Sequence, residues 1–316
     1  MSSDDRVAAT GYRLSATGYR RTSRWRRATG YSWLLILPPL LLTAFFSVYP
    51  FIVAVQTSAH RILLTRPAQQ PYVGLDNFRD VLRVTEFQNA AVKTLVFMAM
   101  SVPAVTLVGL GVALLLNQRL PGFGLLRWIV LLPWAIPLVG AGTMWRLLLH
   151  GNTGALNGLL LELGVIDEYI TWLSKPTLAM IAVTMAHVWR EFPLAAILFL
   201  AGRQAIASEL YEVARIDGAG TFALLRDVTL PLLRPTLFIV VVYETVISIS
   251  VFDLLYVLTG GGPGSATTVI SWYAYAVTFK FYNLGQGAAL SLLMAVAILA
   301  LILVYAFVLP TSEERR

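Results

Sequence analysis

Long uncharged runs alternate with short polar connections along this chain. Trp33 to Gln56 and Thr94 to Gln118 contain no Asp, Glu, Lys or Arg. Each exceeds the roughly 20 residues that a helix needs to cross a hydrocarbon core. Four more apolar stretches follow, approximately Leu125 to Leu149, Leu178 to Ala201, Pro235 to Leu258 and Gln286 to Leu309, with a few isolated charges inside three of them. The pattern predicts an all-α integral membrane protein with six transmembrane helices, so both termini fall on one side. In the first outer connection Phe78, Val81 and Leu82 recur at helical spacing beside Asp80 and Arg83, which predicts a short amphipathic helix on the membrane surface.

Glycine and proline punctuate the spans: Pro103, Gly109 and Gly111 in the second, Pro133, Pro137, Gly140 and Gly142 in the third, Pro193 in the fourth. Small residues let helices approach closely, and prolines loosen the backbone where a pathway runs. The last outer connection begins with Gly260 to Gly262, Pro263 and Gly264. That run lacks the GK[ST] ending of a phosphate-binding loop and reads as a turn. The chain therefore shows no nucleotide site of its own.

Composition agrees with the pattern. Of 316 residues, 57% are hydrophobic and 13% charged, against roughly 45–50% and 25% in soluble domains. The net charge of +7 sits largely in the N-terminal tail, which holds Arg6, Arg13, Arg20, Arg21, Arg24, Arg26 and Arg27 and repeats ATGYR at Ala9 and Ala16. Anionic lipid headgroups account for such a tail, and no folded basic surface accompanies it to suggest nucleic acid. Further arginines fall at Arg119 and Arg127, at Arg203, Arg215, Arg226 and Arg234, and at Arg315 and Arg316. By the positive-inside rule these segments and both termini are cytoplasmic. Arg61, Arg66, Arg79, Arg83 and Lys93 in the first outer connection run against the rule, offset in part by Asp76, Asp80 and Glu86. The first apolar run is too long for a signal-peptide core, so it is expected to be retained. The absence of cysteine excludes disulfides, thiolate metal sites and thiol catalysis within the chain.

The connection between the fourth and fifth spans is the most specific segment. It reads ELYEVARIDGAGTFALLRDVTLPLLRP from Glu209 to Pro235. Ser208 is the expected N-cap, Glu209 suits the positive end of the helix dipole, Leu210, Val213 and Ala214 form an apolar stripe, and Gly218 ends the helix. A second short helix from Thr221 leads to Leu230 and Pro231. Glu212, Val213, Ala214, Gly218, Val228, Leu230 and Pro231 match the EAA signature of binding-protein-dependent ABC importer permeases, with Val213 and Val228 as conservative departures. The resemblance extends to the sugar-permease branch, the MalF and UgpA type, through YVGLDNF from Tyr72, LPWAIP from Leu132, GALNGLL from Gly154 and FDLLYVLTGGGPGSAT from Phe252. It covers nearly everything from Trp33 to Leu309. Lys93-Thr94 stands where the branch leads one to expect Asn-Thr.

The resemblance implies the type I importer permease fold, with a basic tail over 1–31, a permease domain over 32–310 and a cytoplasmic tail over 311–316. The segment 203–234 would couple transport to an ATPase through Glu212, Ala214, Asp217, Gly218, Ala219, Leu230 and Pro231. The chain is then a transport subunit rather than an enzyme. ATP and Mg would be bound by two copies of a partner ATPase, alongside a second permease subunit of the MalG type and an extracytoplasmic solute-binding protein. The setting is a bacterial cytoplasmic membrane.

Charges inside the spans are the other unusual feature, since an ionisable group near the bilayer centre costs about 2.5–3.5 kcal/mol. His187, Arg190, Glu191 and Leu194 fall on one stripe of the fourth span, and Glu244, Ile247 and Ser248 on one stripe of the fifth, with Asp253 further out. Two polar stripes on consecutive helices suggest a wet cavity near mid-membrane. A structural ion pair of Arg190 with Glu191 or Glu244 fits the same residues. Resemblance to the maltose-transporter member implies that these seven positions contribute to a sugar site. A di- or oligosaccharide is the leading solute, and a glycerol phosphate ester on Arg190 is the alternative. An ion-coupled secondary transporter using Glu244 and Asp253 as proton carriers would require an inverted repeat of broken helices that the sequence does not show. A membrane enzyme would require a catalytic motif that it also lacks.

Overall fold

The computed structural model describes residues 35–118 and 123–308, and every described element longer than an isolated bridge is helical. The N-terminal tail, Arg119 and the C-terminal tail lie outside the described residues. The chain divides into two units by its internal contacts, Met1–Ile52 and Val53–Arg316. Helix α1, Leu35–Ser58, begins in the first unit and ends in the second, and carries a π turn at Ala44–Val48 within the first. Thr43 returns its hydroxyl to the Pro39 carbonyl at 2.8 Å, and Phe45 stacks on Tyr49 at 5.8 Å.

In the second unit α2 is Asp76–Arg83 and α3 is Thr85–Leu116. Helices α4, Phe123–Ala135, and α5, Leu138–Leu148, follow, then α6, Ala155–Glu162, and α7, Pro176–Gln204. A short hairpin comes next, α8 at Ser208–Ile216 and α9 at Thr221–Leu232. The chain closes with α10, Arg234–Ser250, α11, Asp253–Leu258, α12, Ile270–Tyr275, and α13, Leu284–Val308.

Among the described residues four helices, α1, α3, α7 and α13, are each long and apolar enough to cross a membrane unbroken. The other two expected spans are bent. The third breaks at Ile136-Pro137, and α4 meets α5 at 94°, because Pro137 holds an extended backbone that cannot continue the preceding helix. The fifth, expected as one helix from Pro235 to Leu258, stops at Ser250 and resumes at Asp253. Its N-terminal end meets α9 at 67°. Pro103, Pro133 and Pro193 sit inside helices that run on through them.

Helices α3 and α7 form the most extensive pair in the structure. Gly109 lets them touch, because a Cβ there would stand 2.7 Å from the Ala195 Cβ. Two apolar clusters flank the middle of this pair. One gathers Phe97, Met180, Val183 and Ala186 with Leu254 and Leu255. The other gathers Val105, Ala195, Phe199, Leu233 and Val240. The amphipathic helix expected on the membrane surface is present as α2, but its inner face is taken by protein. Val81 is buried with Ala90, Tyr273 and Leu290, and Asn77 donates to the carbonyls of Ser58 at 2.8 Å and His60 at 2.9 Å. Satisfying those two loop carbonyls outweighs lying flat on lipid.

Candidate functional site

Between the two apolar clusters lies one polar layer drawn from three helices. On α7 the apolar clusters use Met180 to Ala186 and Ala195 to Leu200, which leaves His187 and Glu191 between them. On α10 they use Val240, and the layer holds Glu244 and Ser248. On α3, Phe97 and Val105 bracket Ser101. His187, Glu244, Ser248 and Ser101 are fully buried.

His187 Nε2 lies 2.6 Å from Glu244 Oε1, and Ser248 donates to the same oxygen at 3.1 Å. Ser101 and Ser248 share a hydrogen bond of 2.9 Å across α3 and α10. The edge of Phe97 closes on the His187 ring at 5.1 Å between centroids. Arg190 pairs with Glu191 through Nη1 and Oε1, and the Tyr243 hydroxyl reaches the other oxygen of Glu191 at 3.5 Å. Of the two pairings open to Arg190, Glu191 is therefore the one adopted. Leu194 and Ile247 are half-buried and add no polar contact. The expected wet cavity is closed in this conformation, since the layer faces protein.

Not every polar atom in the layer is satisfied. His187 Nδ1, Glu244 Oε2 and Arg190 Nε are buried without a partner. An unmet buried donor or acceptor costs about 1–3 kcal/mol, more when charged. Such atoms are held in place because other contacts fix their side chains.

The hairpin α8–α9 is built differently, with its apolar groups outward. Leu210, Val213, Ile216 and Phe222 are exposed, Ile216 at 85%. The N-cap is Ala207 rather than the expected Ser208, and no side chain caps the helix. The C-terminus follows the expectation: Ala219 donates to the Ala214 carbonyl at 2.9 Å and Gly218 to Arg215 at 3.0 Å, a Schellman ending. Gly218 takes φ +86°, the left-handed conformation that such an ending requires. Asp217 is the C-cap, and Glu212 projects exposed from the helix. Behind the outward face, buried Tyr211 hydrogen-bonds Thr229 at 3.0 Å, and the Arg203 guanidinium lies 3.8 Å over the Tyr211 ring. Leu230 and Pro231 lie in the last turn of α9, just before the bend into α10.

Sequence reasoning missed Ser101, Phe97 and Tyr243. Hydroxyls inside spans normally bond the carbonyl four residues back, as Thr94, Thr106 and Thr184 do here. A serine in an apolar run therefore gives little signal, and only the packing of α3 on α10 turns Ser101 across to Ser248.

An exposed hairpin joined to a core of long apolar helices defines a class. The chain belongs to the family of binding-protein-dependent transport system inner membrane components, whose model matches residues 16–315. It is an ABC-transporter permease subunit, a multi-pass transport component rather than a catalytic one. It is 42% identical over 282 residues to the trehalose/maltose transport system permease protein MalF of Thermococcus litoralis, covering 88% of this chain and 93% of that protein. It is also 32% identical to the sulfoquinovosyl glycerol permease SmoG of Agrobacterium fabrum over 89% and 90% of the two chains. The fold matches a bacterial ABC transporter that imports the acidic polysaccharide alginate, with TM-score 0.76 and 24% identity over 90% and 98% of the chains. The likeness confirms the type I permease fold.

Proposed function

We propose that this chain is the sugar-translocating permease subunit of an ATP-driven importer, moving a di- or oligosaccharide by alternating access through the layer around Glu244. One observation carries the reading: the exposed hairpin α8–α9 is covalently continuous with α7 on one side and α10 on the other, the two helices that hold His187, Arg190, Glu191, Glu244 and Ser248. A partner that closes on Leu210, Val213, Ile216 and Phe222 pulls on both walls of the layer at once. In this reading Glu212, Ala214, Asp217, Gly218, Ala219, Leu230 and Pro231 transmit the pull. A second permease, two ATPase copies that carry ATP and Mg, and an extracytoplasmic binding protein complete the transporter, and both termini are cytoplasmic.

The names of the relatives support a sugar, and the chemistry of the layer agrees. Carboxylate, imidazole and hydroxyl groups offer several charge-assisted hydrogen bonds to a polyol. The Glu191 carboxylate already occupies Arg190, which disfavours an anionic ester there. The test is uptake of labelled trehalose and maltose by vesicles holding the reconstituted complex, with the binding protein outside and ATP inside. Uptake requires both proteins and stops with vanadate. Uptake of neither sugar, or uptake that persists without ATP, removes the proposal.

A further inference from the structure

The glycine-rich loop after α11, read from sequence only as a turn, forms one wall of a hollow on the side of the molecule away from the α8–α9 hairpin. The hollow has a volume of about 220 Å³ and is lined by Glu86, Asn89, Ser265, Thr268, Trp272 and Phe281, among others. Its loop wall is fixed in place. Thr259 and Thr267 share a 2.7 Å hydrogen bond, Thr267 donates to the Gly262 carbonyl at 2.9 Å, and Thr268 donates to the Gly261 carbonyl at 3.0 Å. Gly261 packs its bare backbone against the Trp272 indole. A wall held by its own hydrogen bonds loses little freedom when a ligand arrives.

The chemistry of the lining is split. Trp272 and Phe281 supply apolar rings, and Glu86, Asn89, Ser265 and Thr268 supply a polar edge. Glu86 and Asn89 are exposed, and among the described residues neither side chain is engaged in a hydrogen bond or ion pair. The indole Nε1 of Trp272 is buried and without an acceptor. Lys280 Nζ stands 4.7 Å from the Trp272 ring, so a cation already lies against that ring and the ring does not call for a cationic ligand. Glu86 is the one carboxylate in the lining, too few for a divalent cation. An acyl chain would leave the carboxylate, amide and hydroxyls unpaired. The remaining fit is a small uncharged molecule with an apolar face and a hydroxylated edge. The volume is below the roughly 300–1,000 Å³ of pockets that hold drug-sized ligands, so one ring fills it.

We propose that this hollow is an outer binding subsite for a single uncharged pyranose ring, which packs on Trp272 and Phe281 while Glu86 and Asn89 bond its hydroxyls. It is separate from the deep layer: Glu86 and Ser101 lie on the same helix α3, about 22 Å apart along its axis at 1.5 Å per residue. Its role as a station on the sugar's path rests on the importer reading above.

The test places one cysteine at Ser265 in the complete transporter in nanodiscs, since this chain has none of its own. Labelling by a membrane-impermeant maleimide is followed without binding protein, in the presence of glucose, trehalose, maltose or the acyclic polyol mannitol. A pyranose sugar slows labelling and mannitol does not. Glu86→Gln and Asn89→Ala, each in that background, raise the half-protecting sugar concentration about threefold to tenfold, the worth of one hydrogen bond, and Trp272→Phe, which removes part of the ring the sugar packs on, raises it as well. Glu86 and Asn89 are exposed, so their variants keep the fold. The proposal is overturned if no pyranose protects, if mannitol protects as well as glucose, or if sugar-free binding protein protects where no sugar does. Uptake by the unmodified complex is measured in parallel. Uptake without protection overturns the subsite alone, and protection without uptake keeps the subsite and removes the importer reading.

Discussion

Glu244 shows how a single residue can be expensive and still be kept. Its carboxylate is fully buried, accepts from Ser248, faces His187 at 2.6 Å, and leaves Oε2 unpaired. Removing His187 strands that carboxylate, so His187→Ala lowers the thermal midpoint and yield of the purified complex, at a cost of about 3–5 kcal/mol. His187→Asn keeps a donor and loses less. Equal losses in the two variants would show that the pair contributes only volume. Glu244→Gln preserves shape and one acceptor but removes charge. If the layer binds solute, it reduces the maximal uptake rate of sugar while the complex still assembles. Normal rates in assembled Glu244→Gln complex would reduce His187 and Glu244 to a structural pair. Ser101→Ala deletes one cross-helix hydrogen bond and costs about 0.5–1.5 kcal/mol. His187, Glu244 and Ser248 were legible in the sequence because ionisable groups in a span must turn inward. Ser101 was not, because its role depends on which helix faces it.

At the level of elements, close approach and helix endings make separable predictions. Gly109→Ala forces α3 away from α7, since the new methyl would meet Ala195 at 2.7 Å, and destabilises by about 1–3 kcal/mol. Gly111→Ala, where a Cβ meets nothing within 4 Å, is neutral. A thermal-stability comparison that finds no difference between them would contradict the α3–α7 contact. On α8, Gly218→Val places a branched side chain at φ +86°, a strain of about 1–3 kcal/mol, and disturbs the ending that aims the hairpin. Glu212→Lys changes only an exposed charge. Both leave membrane insertion intact and reduce solute-stimulated ATP hydrolysis by the partner ATPase. Full stimulation in both would remove the coupling role of α8. The helix ending was readable from Gly218 and its spacing. The breaks at Ile136-Pro137 and at Val251-Phe252 were not placed. Pro137 was visible, but Pro103, Pro133 and Pro193 do not break their helices, so proline alone does not say which helix yields.

The orientation of the whole molecule in the membrane gives one further prediction. By the positive-inside rule the arginines near the α8–α9 hairpin predict that it is cytoplasmic and that the loop carrying Ser265 is outside. In intact cells an impermeant maleimide labels Ser265→Cys and leaves Val213→Cys unlabelled until the membrane is permeabilised. The reverse pattern would invert the topology and with it the assignment of inner and outer partners.

The sequence by itself determined the class of fold, because hydrocarbon admits helices whose length and lack of charge can be counted from Trp33 to Leu309. It also determined the short helix that carries Glu212 and Ala214 and its ending at Gly218, where spacing is structure. Only the tertiary structure decided the rest. It chose Glu191 over Glu244 for Arg190, gave Glu244 to His187, and brought Ser101 from 147 residues away to Ser248. It turned Asn77 of α2 into loop carbonyls rather than towards lipid. It set Glu86 and Asn89 opposite the glycine-rich loop to form a hollow. Each of those outcomes depends on the rotation of one helix against another. That rotation is set by close packing at contacts such as Gly109 on Ala195, and a linear pattern of apolar residues does not contain it.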